Sequence, residues 1–427
     1  MSSVPHAITH PPKVLAIVQA GGQGSRMDVL TRERAKPALP WGGTHQLIDF
    51  TLSNLALSGI SDVWVSVAFL AGSLDEHLQS GRPWDLDRNR GGYRRMVPES
   101  GAPGEELGGG NADDLFRMRD EITRHGADVV VVSSADHVFA ADLRPAIAAH
   151  LELGAALTML TSEVPLSDAK HKVVVTTGGK EARVKGVSDA DGSPLRAHKV
   201  TAIDEKPEHP EHGTVATEIF LYDRGALVEH LTGLHTDLAS TGEDSLGDFA
   251  EHLLPRLVAT GRTYAVPLPG YWKDVGRPSA YLQSHRDLVR GRAPVFEDPR
   301  WPILTNSPRP RPSRVEAGAS VEDSLLAQGS DVRGEVVCSV IGPGVQVAAG
   351  ARVVDSVLNG GVRVEAGAVV ETAVIDNGVV IGRGARVGSL VTGRLADGSV
   401  TLVGRDCRIG AHEVVERGAR LEPGTTV

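Results

Sequence analysis

Apolar residues in the first two thirds of the chain occur either in short continuous runs or at helical spacing. Four continuous runs predict buried strands, at residues 14–18, 63–69, 129–132 and 157–160. Residues 115–125 and 144–153 have helical spacing and predict two helices between strands. This alternation predicts a mostly parallel sheet with helices on both faces. In such a sheet, ligands bind beyond the carboxyl ends of the strands.

A proline-dense segment follows and separates this region from the rest of the chain. The composition changes near Ala293, and residues 294–313 contain six prolines at positions 294, 299, 302, 308, 310 and 312. Proline at this density is typical of an extended linker. We therefore expect an α/β domain over residues 13–290, a linker over 291–315 and a second domain over 316–427.

The second domain is repetitive. Residues 339–355, 356–372 and 373–389 align without gaps at a period of 17, and Val and Gly recur at fixed places. The aligned positions are Val340, Val357 and Val374, then Gly344, Gly361 and Gly378, and then Gly350, Gly367 and Gly384. A period near three hexapeptides predicts a left-handed parallel β-helix with Val inside and Gly at the corners.

Such a β-helix usually serves as a spacer, an oligomerisation surface or an acyltransferase site. The acyltransferase role typically depends on a histidine in the coils. The three aligned repeats contain none, and His412 lies beyond them. We therefore expect a structural and regulatory role for this domain.

Overall composition narrows the classes of protein. A length of 427 residues suggests two or three domains. A net charge of −10 argues against general nucleic-acid or membrane-surface binding. The only cysteines, Cys338 and Cys407, have no metal-ligand spacing and predict no disulfide framework or zinc site. No run is long enough to span a bilayer, so we expect a soluble cytoplasmic protein.

A glycine-rich segment directly after the first predicted strand indicates phosphate chemistry. Gly21, Gly22 and Gly24 allow backbone N–H groups to approach an anion closely. Arg26 and Lys36 add positive charge. A Walker A loop is excluded because Ser25 and Arg26 follow Gly24, and a dinucleotide fingerprint is excluded because Met27 replaces its third glycine.

Several motifs together resemble those of sugar-nucleotide pyrophosphorylases, and most closely the glucose-1-phosphate adenylyltransferase family. They are the glycine-rich segment, the Arg-Ala-Lys-Pro-Ala at 34–38, the residues at 42–43 and 48–54, and the Trp-Pro-Ile at 301–303. The resemblance implies a Rossmann-like nucleotidyltransferase domain that makes ADP-glucose and pyrophosphate from ATP and α-D-glucose 1-phosphate in glycogen synthesis. It also implies Mg²⁺ as cofactor and a homotetramer.

The chemistry of this reaction needs carboxylates that hold metal ions and cations that neutralise phosphate. Asp136 follows a predicted strand and resembles the family's metal-binding Asp, with Ala135 in place of a glycine. Asp274, after Lys273, resembles the second metal ligand. Turn or helix-capping roles are the alternative for Asp136, and an ion pair with Lys273 is the alternative for Asp274. Arg26 and Lys36 would stabilise the triphosphate.

Other segments resemble the family's substrate-binding motifs. Glu205 and Lys206 stand in Glu-Lys-Pro, whose lysine binds the sugar phosphate in the family. Gly110 and Asp113 resemble the motif that helps to enclose the nucleotide, with Asn111 in place of a threonine. Asp248 resembles an aspartate near the sugar pocket. Asp248 could equally begin a short helix that ends near Leu254, ahead of Pro255.

The chain departs from the family pattern around the base and the sugar. The departures are Leu-Gly-Gly at 107–109, Lys-Val-Val at 172–174 and Ala-Thr-Glu-Ile at 216–219. Glu218 replaces a glycine, and a buried carboxylate must pair, face solvent or bind a hydroxyl. Glu33 stands where some members place an activator-linked lysine, which argues against regulation by sugar phosphates. Two alternatives therefore stay open: another sugar 1-phosphate or nucleotide, and a non-catalytic regulatory subunit that binds nucleotide.

Overall fold

A computed structural model gives the conformation of most of the chain. It describes residues 11–22, 24–67, 69–96, 110–188, 192–242, 245–306 and 311–427. The departure from the family pattern at 107–109 lies outside the described residues. Among the described helices, none has the length and apolar character needed to cross a membrane.

The first two thirds of the described chain contain thirteen strands. These are β1 (Val14–Gln19), β2 (Pro40–Trp41), β3 (His45–Gln46), β4 (Asp62–Ser66), β5 (Gly92–Met96), β6 (Val129–Ser134), β7 (His137–Phe139), β8 (Leu157–Glu163), β9 (Val173–Ser188), β10 (Pro194–Glu205), β11 (Thr214–Asp223), β12 (Thr263–Pro267) and β13 (Trp272–Asp274). The four strands that the apolar runs predict correspond to β1, β4, β6 and β8, and they are confirmed.

Nine α-helices connect the strands of the described chain. These are α1 (Leu47–Leu57), α2 (Gly72–Leu78), α3 (Asn111–Arg117), α4 (Arg119–His125), α5 (Arg144–Glu152), α6 (Leu166–Ala169), α7 (Arg224–Thr241), α8 (Leu253–Ala259) and α9 (Pro278–Val289). The helix expected over 144–153 is confirmed as α5. The helix expected over 115–125 is instead two helices, because the backbone at Met118 (φ −87°, ψ 0°) interrupts it where both halves pack against α7.

The alternative for Asp248, in which it begins a short helix that ends near Leu254, is wrong. Residues 248–252 form turns, and α8 begins at Leu253 and continues through Pro255. Pro255 lies in the first turn of α8, where its missing N–H has no helical partner to lose. Proline therefore stands near the start of this helix and does not end it.

One nine-stranded sheet forms the centre of the α/β region, in the order β5-β4-β1-β6-β11-β8-β12-β10-β9. The strand pairings give seven strands one direction, and β10 and β11 run the other way. Val131 and Val132 of β6 point into separate apolar clusters on the two faces. The mostly parallel sheet of the predicted fold class is confirmed.

The last third of the described chain consists of short parallel strands. These are β14 (Arg314–Val315), β15 (Ser320–Glu322), β16 (Leu325–Leu326), β17 (Asp331–Val332), β18 (Glu335–Val337), β19 (Val340–Ile341), β20 (Gln346–Val347), β21 (Arg352–Val354), β22 (Val357–Leu358), β23 (Arg363–Val364), β24 (Val369–Glu371), β25 (Ala373–Ile375), β26 (Val380–Ile381), β27 (Arg386–Gly388), β28 (Thr401–Val403), β29 (Arg408–Ile409), β30 (Val414–Val415) and β31 (Arg420–Leu421). They form three six-stranded parallel sheets, each made from every third strand. This is the predicted left-handed parallel β-helix.

The repeat of 17 residues matches the coils of the β-helix. Val353 pairs with Val370, 17 residues later, and both side chains are fully buried. Two corners use the recurring glycines at positive φ, for example Gly344 (69°) at one corner and Gly350 (76°) at the other. The third corner uses non-glycine residues at positive φ, which the glycine pattern does not reveal; they are Cys338 (49°), Asp355 (51°) and Thr372 (45°).

The β-helix packs directly on the α/β region. One apolar cluster joins Trp41 and Phe50 with Val357 and Val374 of the β-helix. The buried guanidinium of Arg286 on α9 donates through Nε to Asp355 Oδ1 at 2.7 Å. The two regions therefore share part of their core.

Candidate active site

The glycine-rich segment lies where β1 and β6 end side by side. Gln19 at the end of β1 pairs with Ser134 at the end of β6. Gly24 has a φ of 65°, and a Cβ at this position would lie 2.8 Å from Lys36 Cβ. Glycine is therefore required here both by the backbone conformation and by the close approach of Lys36.

Lys36 is buried between two carboxylates. Its ammonium donates a hydrogen bond to Asp136 Oδ2, and it lies 3.9 Å from Asp274 Oδ1. Burial disfavours the Lys36 ammonium, but the two carboxylates outweigh this effect and raise its pKa. Burial likewise opposes ionisation of Asp136, but Lys36 and His137 lower its pKa to about 2. Lys36 and Asp136 are therefore both charged at neutral pH.

A two-stranded ribbon brings Asp274 to this point. β13 pairs with β7 in the antiparallel direction, and Asp274 lies opposite His137. Lys172 Nζ donates to Asp274 Oδ2 at 2.7 Å and lies 4.9 Å from the centre of the Trp272 ring. Burial opposes the charge on Asp274, but Lys172 and Lys36 hold its pKa well below the usual range. The alternative role of Asp274, an ion pair with Lys273, is not observed, because Lys273 faces Asp168 at 3.5 Å.

His137 and Glu218 complete one wall of the cleft. His137 is 2% exposed, and its Nε2 lies 3.5 Å from Asp136 Oδ1, 3.7 Å from Glu218 Oε2 and 4.0 Å from Asp274 Oδ1. Glu218 lies in β11, which runs antiparallel to β6 and so has its first half beside the end of β6. Desolvation raises the pKa of Glu218, and Asp136 and Asp274 add to this, although His137 opposes it.

Arg26 faces a cleft of about 700 Å³ that Lys172 and Asp274 also line. Arg26 is exposed, and among the described residues it makes no ion pair. Arg277 and Arg394 line the same cleft, so its walls carry several cations. Its volume lies within the range of small-molecule sites.

Lys206 lies at the end of a hairpin that also carries Lys172. β10 ends where β9 begins, with Glu205 opposite Val173, and the Lys206 N–H donates to Lys172 O at 2.9 Å. Lys206 has a φ of 50°, and its side chain is 57% exposed and contacts Glu205. The hairpin therefore places Glu205 and Lys206 beside the Lys172 and Asp274 pair.

Gly110, Asp113 and Asp248 form a second cluster. A Cβ at Gly110 would lie 2.2 Å from Gly247 O. Asp113 accepts hydrogen bonds from Ser245 Oγ at 2.6 Å and from the Leu246 N–H at 2.9 Å. Asp113 therefore holds the loop before Asp248, and its assignment to nucleotide binding stays a prediction.

The second cluster is connected to the end of β1. Gln19 Nε2 donates to Asn111 O at 2.8 Å, and Asn111 Oδ1 accepts from the Phe249 N–H at 2.7 Å. Asn111 thus ties β1 to the loop that holds Asp248. This replacement for the family threonine has a structural role here.

The segment before Lys36 is attached to the β-helix. Arg34 is buried, and its Nη2 donates to both carboxylate oxygens of Asp376 at 2.8 and 2.7 Å. Arg32 donates to Glu422 through Nε and Nη2, both at 3.1 Å. Glu33, at the position of the activator-linked lysine, lies 3.7 Å from Arg405. The β-helix therefore fixes the chain on the N-terminal side of Lys36.

The sequence motifs predicted part of this arrangement. Lys36, Asp136 and Asp274 come together as expected, with Gly24 against Lys36. The motifs did not assign three further residues to the site. They are Lys172, which donates to Asp274, and His137 and Glu218, which lie together beside Asp136. For Lys172 and Glu218 the only signal was their departure from the family pattern, and for His137 it was adjacency to Asp136.

Comparison with known proteins extends over both regions. A model of the nucleotidyl transferase family matches residues 15–291, and a model of the GlmU-like C-terminal hexapeptide matches residues 312–393. A glucose-1-phosphate adenylyltransferase of Thermosipho melanesiensis is 33% identical over 341 residues, which is 79% of this chain and 77% of the relative. One of Thermotoga neapolitana is 34% identical over 80% of this chain and 76% of its own length. One of Clostridium novyi is 32% identical over 79% of this chain and 83% of its own length.

Proposed function

The chain belongs to the glucose-1-phosphate adenylyltransferase family of nucleotidyltransferases, and from this premise we propose that it makes ADP-glucose and pyrophosphate from ATP and α-D-glucose 1-phosphate. The observation that carries the proposal is the buried ammonium of Lys36 between Asp136 and Asp274, beside the Gly24 turn. This arrangement supports the proposal because it would bring a phosphate-binding backbone, a cation and metal-binding carboxylates together.

The reaction transfers the adenylyl group. A phosphate oxygen of glucose 1-phosphate attacks the α-phosphorus of ATP, the bond from that phosphorus to the bridging oxygen breaks, and pyrophosphate leaves with the electron pair. The attacking oxygen is already anionic, so no general base is needed. Positioning and charge neutralisation supply the rate enhancement.

The residues of the cleft divide these tasks. The backbone of Gly21, Gly22 and Gly24 would cradle the triphosphate of ATP. Arg26 and Lys36 would neutralise its charge, and Lys36 is held by Asp136.

The sugar and nucleotide ends would use the remaining predicted residues. Lys206, with Glu205, would orient the sugar phosphate. Gly110, Asp113 and Asp248 would border the nucleotide and the sugar from the second cluster. The contacts of Asp113 with the Leu246 N–H support a fixed wall at that end.

A divalent metal fits the carboxylates of the cleft. Asp136 and Asp274 converge on one cation, the Lys36 ammonium, and their oxygens are ligands that hard cations prefer. A Cβ at Gly276 would lie 2.9 Å from Asp274 Oδ1, so glycine keeps space open beside this carboxylate. We propose Mg²⁺ as the metal of the family reaction, where it would neutralise phosphate charge. The bounds of the two domains and of the linker between them, the tetramer and the cytoplasmic location stay predictions.

A substrate panel tests the proposal. Purified protein is incubated with each pairing of ATP, UTP, GTP, CTP or dTTP with glucose, galactose, mannose, glucosamine or N-acetylglucosamine 1-phosphate, and pyrophosphate release is measured. The largest kcat/KM with ATP and glucose 1-phosphate supports it. A preference for another pair instead supports the alternative that Glu218 and Lys172 suggest, with altered specificity. No turnover with any pair, while ATP still binds, supports the regulatory subunit.

A further inference from the structure

Three potential metal ligands lie together on one wall of the cleft. One ligand atom each from Asp136, His137 and Glu218 lies within 4.8 Å of the other two. Asp136 and His137 are adjacent because β7 begins directly after Asp136, and β11 brings Glu218 alongside. Glu218 stands where the family has glycine, so this set of ligands is a feature of the present sequence.

The imidazole of His137 is buried and has no hydrogen-bond partner among the described residues. Its Nδ1 is enclosed without a partner, and its Nε2 faces Asp136 Oδ1 at 3.5 Å and Glu218 Oε2 at 3.7 Å. The ring packs edge-on against Trp272 with 5.3 Å between ring centres. Nε2 thus faces two carboxylate oxygens without making a hydrogen bond to either of them. A cation bound among these three groups would draw them together.

The oxygens of Asp136 are already divided between two directions. Oδ2 accepts from Lys36, whereas Oδ1 accepts from Ser134 Oγ and also faces His137 Nε2. Asp274 Oδ2 accepts from Lys172 at 2.7 Å. The carboxylate oxygens nearest His137 Nε2 are therefore Asp136 Oδ1, which keeps a second lone pair beside Ser134, and Glu218 Oε2.

The backbone at Glu218 is unfavourable for its own residue type. Its φ is 56°, in the left-handed region that favours glycine, and it lies at an irregularity of the pairing between β11 and β8. The side chain is 55% exposed, and the nearest basic group that the described residues place beside it is the His137 ring, with Nε2 at 3.7 Å from Oε2. An ion pair of this exposed carboxylate stabilises the fold little, so it does not explain why a glutamate occupies this position.

We propose that Asp136, His137 and Glu218 bind a divalent transition metal, with Mn²⁺ as the representative ion. One nitrogen and two carboxylate ligands favour such ions over Mg²⁺, which prefers oxygen ligands only. The inference rests on the proposed function because it concerns the metal of the same cleft. It adds that Glu218 changes which metal this enzyme prefers.

Direct metal binding without substrates tests this inference. Metal-free protein is titrated with Mn²⁺, and free Mn²⁺ is measured by its electron paramagnetic resonance signal. We expect one site per chain, with a Kd that increases at least tenfold in Glu218→Gln and in Glu218→Gly. Glycine suits the backbone at this position, so loss of binding in Glu218→Gly cannot be attributed to misfolding. Glu229→Gln, on the exposed face of α7, is the matched control and should bind as the parent does.

Competition with Mg²⁺ tests the role of the nitrogen ligand. In the parent protein, Mg²⁺ should displace Mn²⁺ only at concentrations at least tenfold above those of Mn²⁺. In His137→Gln, this preference should fall toward equal concentrations, because the replacement ligand is an amide oxygen. An unchanged preference in His137→Gln would overturn the assignment of His137 as a ligand.

The result is separable from the test of the proposed function. Adenylyl transfer with Mg²⁺, together with Mn²⁺ binding that Glu218→Gln leaves unchanged, would overturn the inference and retain the function. Mn²⁺ binding that depends on Glu218, without turnover in the substrate panel, would retain the metal site and overturn the function. Absence of any Mn²⁺ binding in the parent protein would also overturn the inference.

Discussion

The cleft of the α/β region and its boundary with the β-helix both contain ion pairs, but the two groups differ in access to solvent. In the cleft, the carboxylates of Asp136 and Asp274 stay 19% and 22% exposed beside Lys36. At the boundary, Arg34 with Asp376 and Arg286 with Asp355 are each less than 10% exposed. Carboxylates that stay accessible can exchange a lysine for a substrate-bound cation. Pairs that are closed off can only hold two surfaces together.

The two regions also differ in how their sequences specify structure. In the β-helix, equivalent residues occupy equivalent places, as Val353 and Val370 do. In the cleft, side chains from five distant segments meet, and each of these segments occurs once. A change in the cleft should therefore alter activity, whereas a change at the boundary or in a coil should alter stability.

The largest effect should follow from Asp136→Asn. The amide removes a negative charge next to Lys36 and weakens metal binding, so we expect kcat to fall on the order of 10³-fold, because metal chemistry supplies several kcal/mol to such reactions. The thermal unfolding midpoint should fall only moderately, because Lys36 keeps Asp274 at 3.9 Å as a second carboxylate partner. Steady-state kinetics and circular dichroism measure the two quantities. Asp298→Asn, at an exposed pair with Arg300, is the control, and near-normal turnover in Asp136→Asn would remove Asp136 from the mechanism.

The boundary should respond in the opposite way. Asp376→Asn leaves the buried Arg34 guanidinium without its charge partner, so we expect a loss of about 3 kcal/mol or more in the free energy of unfolding. Urea unfolding measures it. Since Arg34 precedes Lys36 by two residues, kcat should also fall, but less than in Asp136→Asn.

Two further variants isolate the buried pair. Asp331→Asn removes a half-buried partner of the exposed Arg333 in the same β-helix and should cost less than about 1 kcal/mol. The double variant Arg34→Met with Asp376→Leu should recover much of the stability, because no unpaired charge stays buried. If Asp376→Asn and Asp331→Asn lowered the free energy of unfolding equally, burial of the pair at the boundary would have no effect on its contribution to stability.

The sequence predicted the repeated β-helix better than it predicted contacts between residues that are distant along the chain. The 17-residue repeat predicted the β-helix because each coil places the same residue types at the same strand and corner positions. Apolar runs likewise predicted β1, β4, β6 and β8. The position after a strand predicted Asp136, and the motif at 34–38 predicted Lys36. The pairing of Arg34 with Asp376 was beyond reach, since it joins residues 342 positions apart and no local pattern records it.

The failures have local physical causes. Pro255 suggested a helix end, but it lies in the first turn of α8. Lys172 and Glu218 depart from the family motifs, so comparison with those motifs could not predict that they contact Asp274 and His137. Their positions depend on the β9–β10 hairpin and on the reversed direction of β11, which follow from the tertiary structure.

The packing between the two regions also predicts a dependence of stability on pH. Burial lowers the pKa of His285 from 6.5 to about 4. Its Nδ1–H donates to Tyr281 O at 2.8 Å, and its Nε2 accepts from the Gly42 N–H at 3.2 Å, so the neutral ring satisfies both contacts. Below pH 6.5 the unfolded state takes up the proton first. The free energy of unfolding should therefore decrease as pH falls from 6.5 to 4, by roughly 3 kcal/mol at most from this residue.

His285→Gln separates this contribution from other groups. Glutamine retains a donor and an acceptor but does not titrate, so the decrease between pH 7 and 5 should be smaller in the variant. His150, whose pKa burial also lowers to about 4, stays in both proteins and accounts for part of the remaining decrease. Urea unfolding at several pH values gives the slopes. The same slope in both proteins would show that His285 is not among the groups responsible.

The smallest effects should test the repetition of the β-helix itself. Val353→Ala and Val370→Ala each remove two buried methyl groups from stacked, equivalent positions. We expect each to lower the free energy of unfolding by about 2 kcal/mol, and the two values to agree within about 0.5 kcal/mol, because each coil contacts only its neighbours. Val414→Ala, at a side chain that is 57% exposed, is the control and should cost less than about 0.5 kcal/mol. If Val353→Ala and Val370→Ala differed by more than about 1 kcal/mol, the coils would not be energetically equivalent, and the contrast between a repeated β-helix and a cleft of unique contacts would hold for geometry alone.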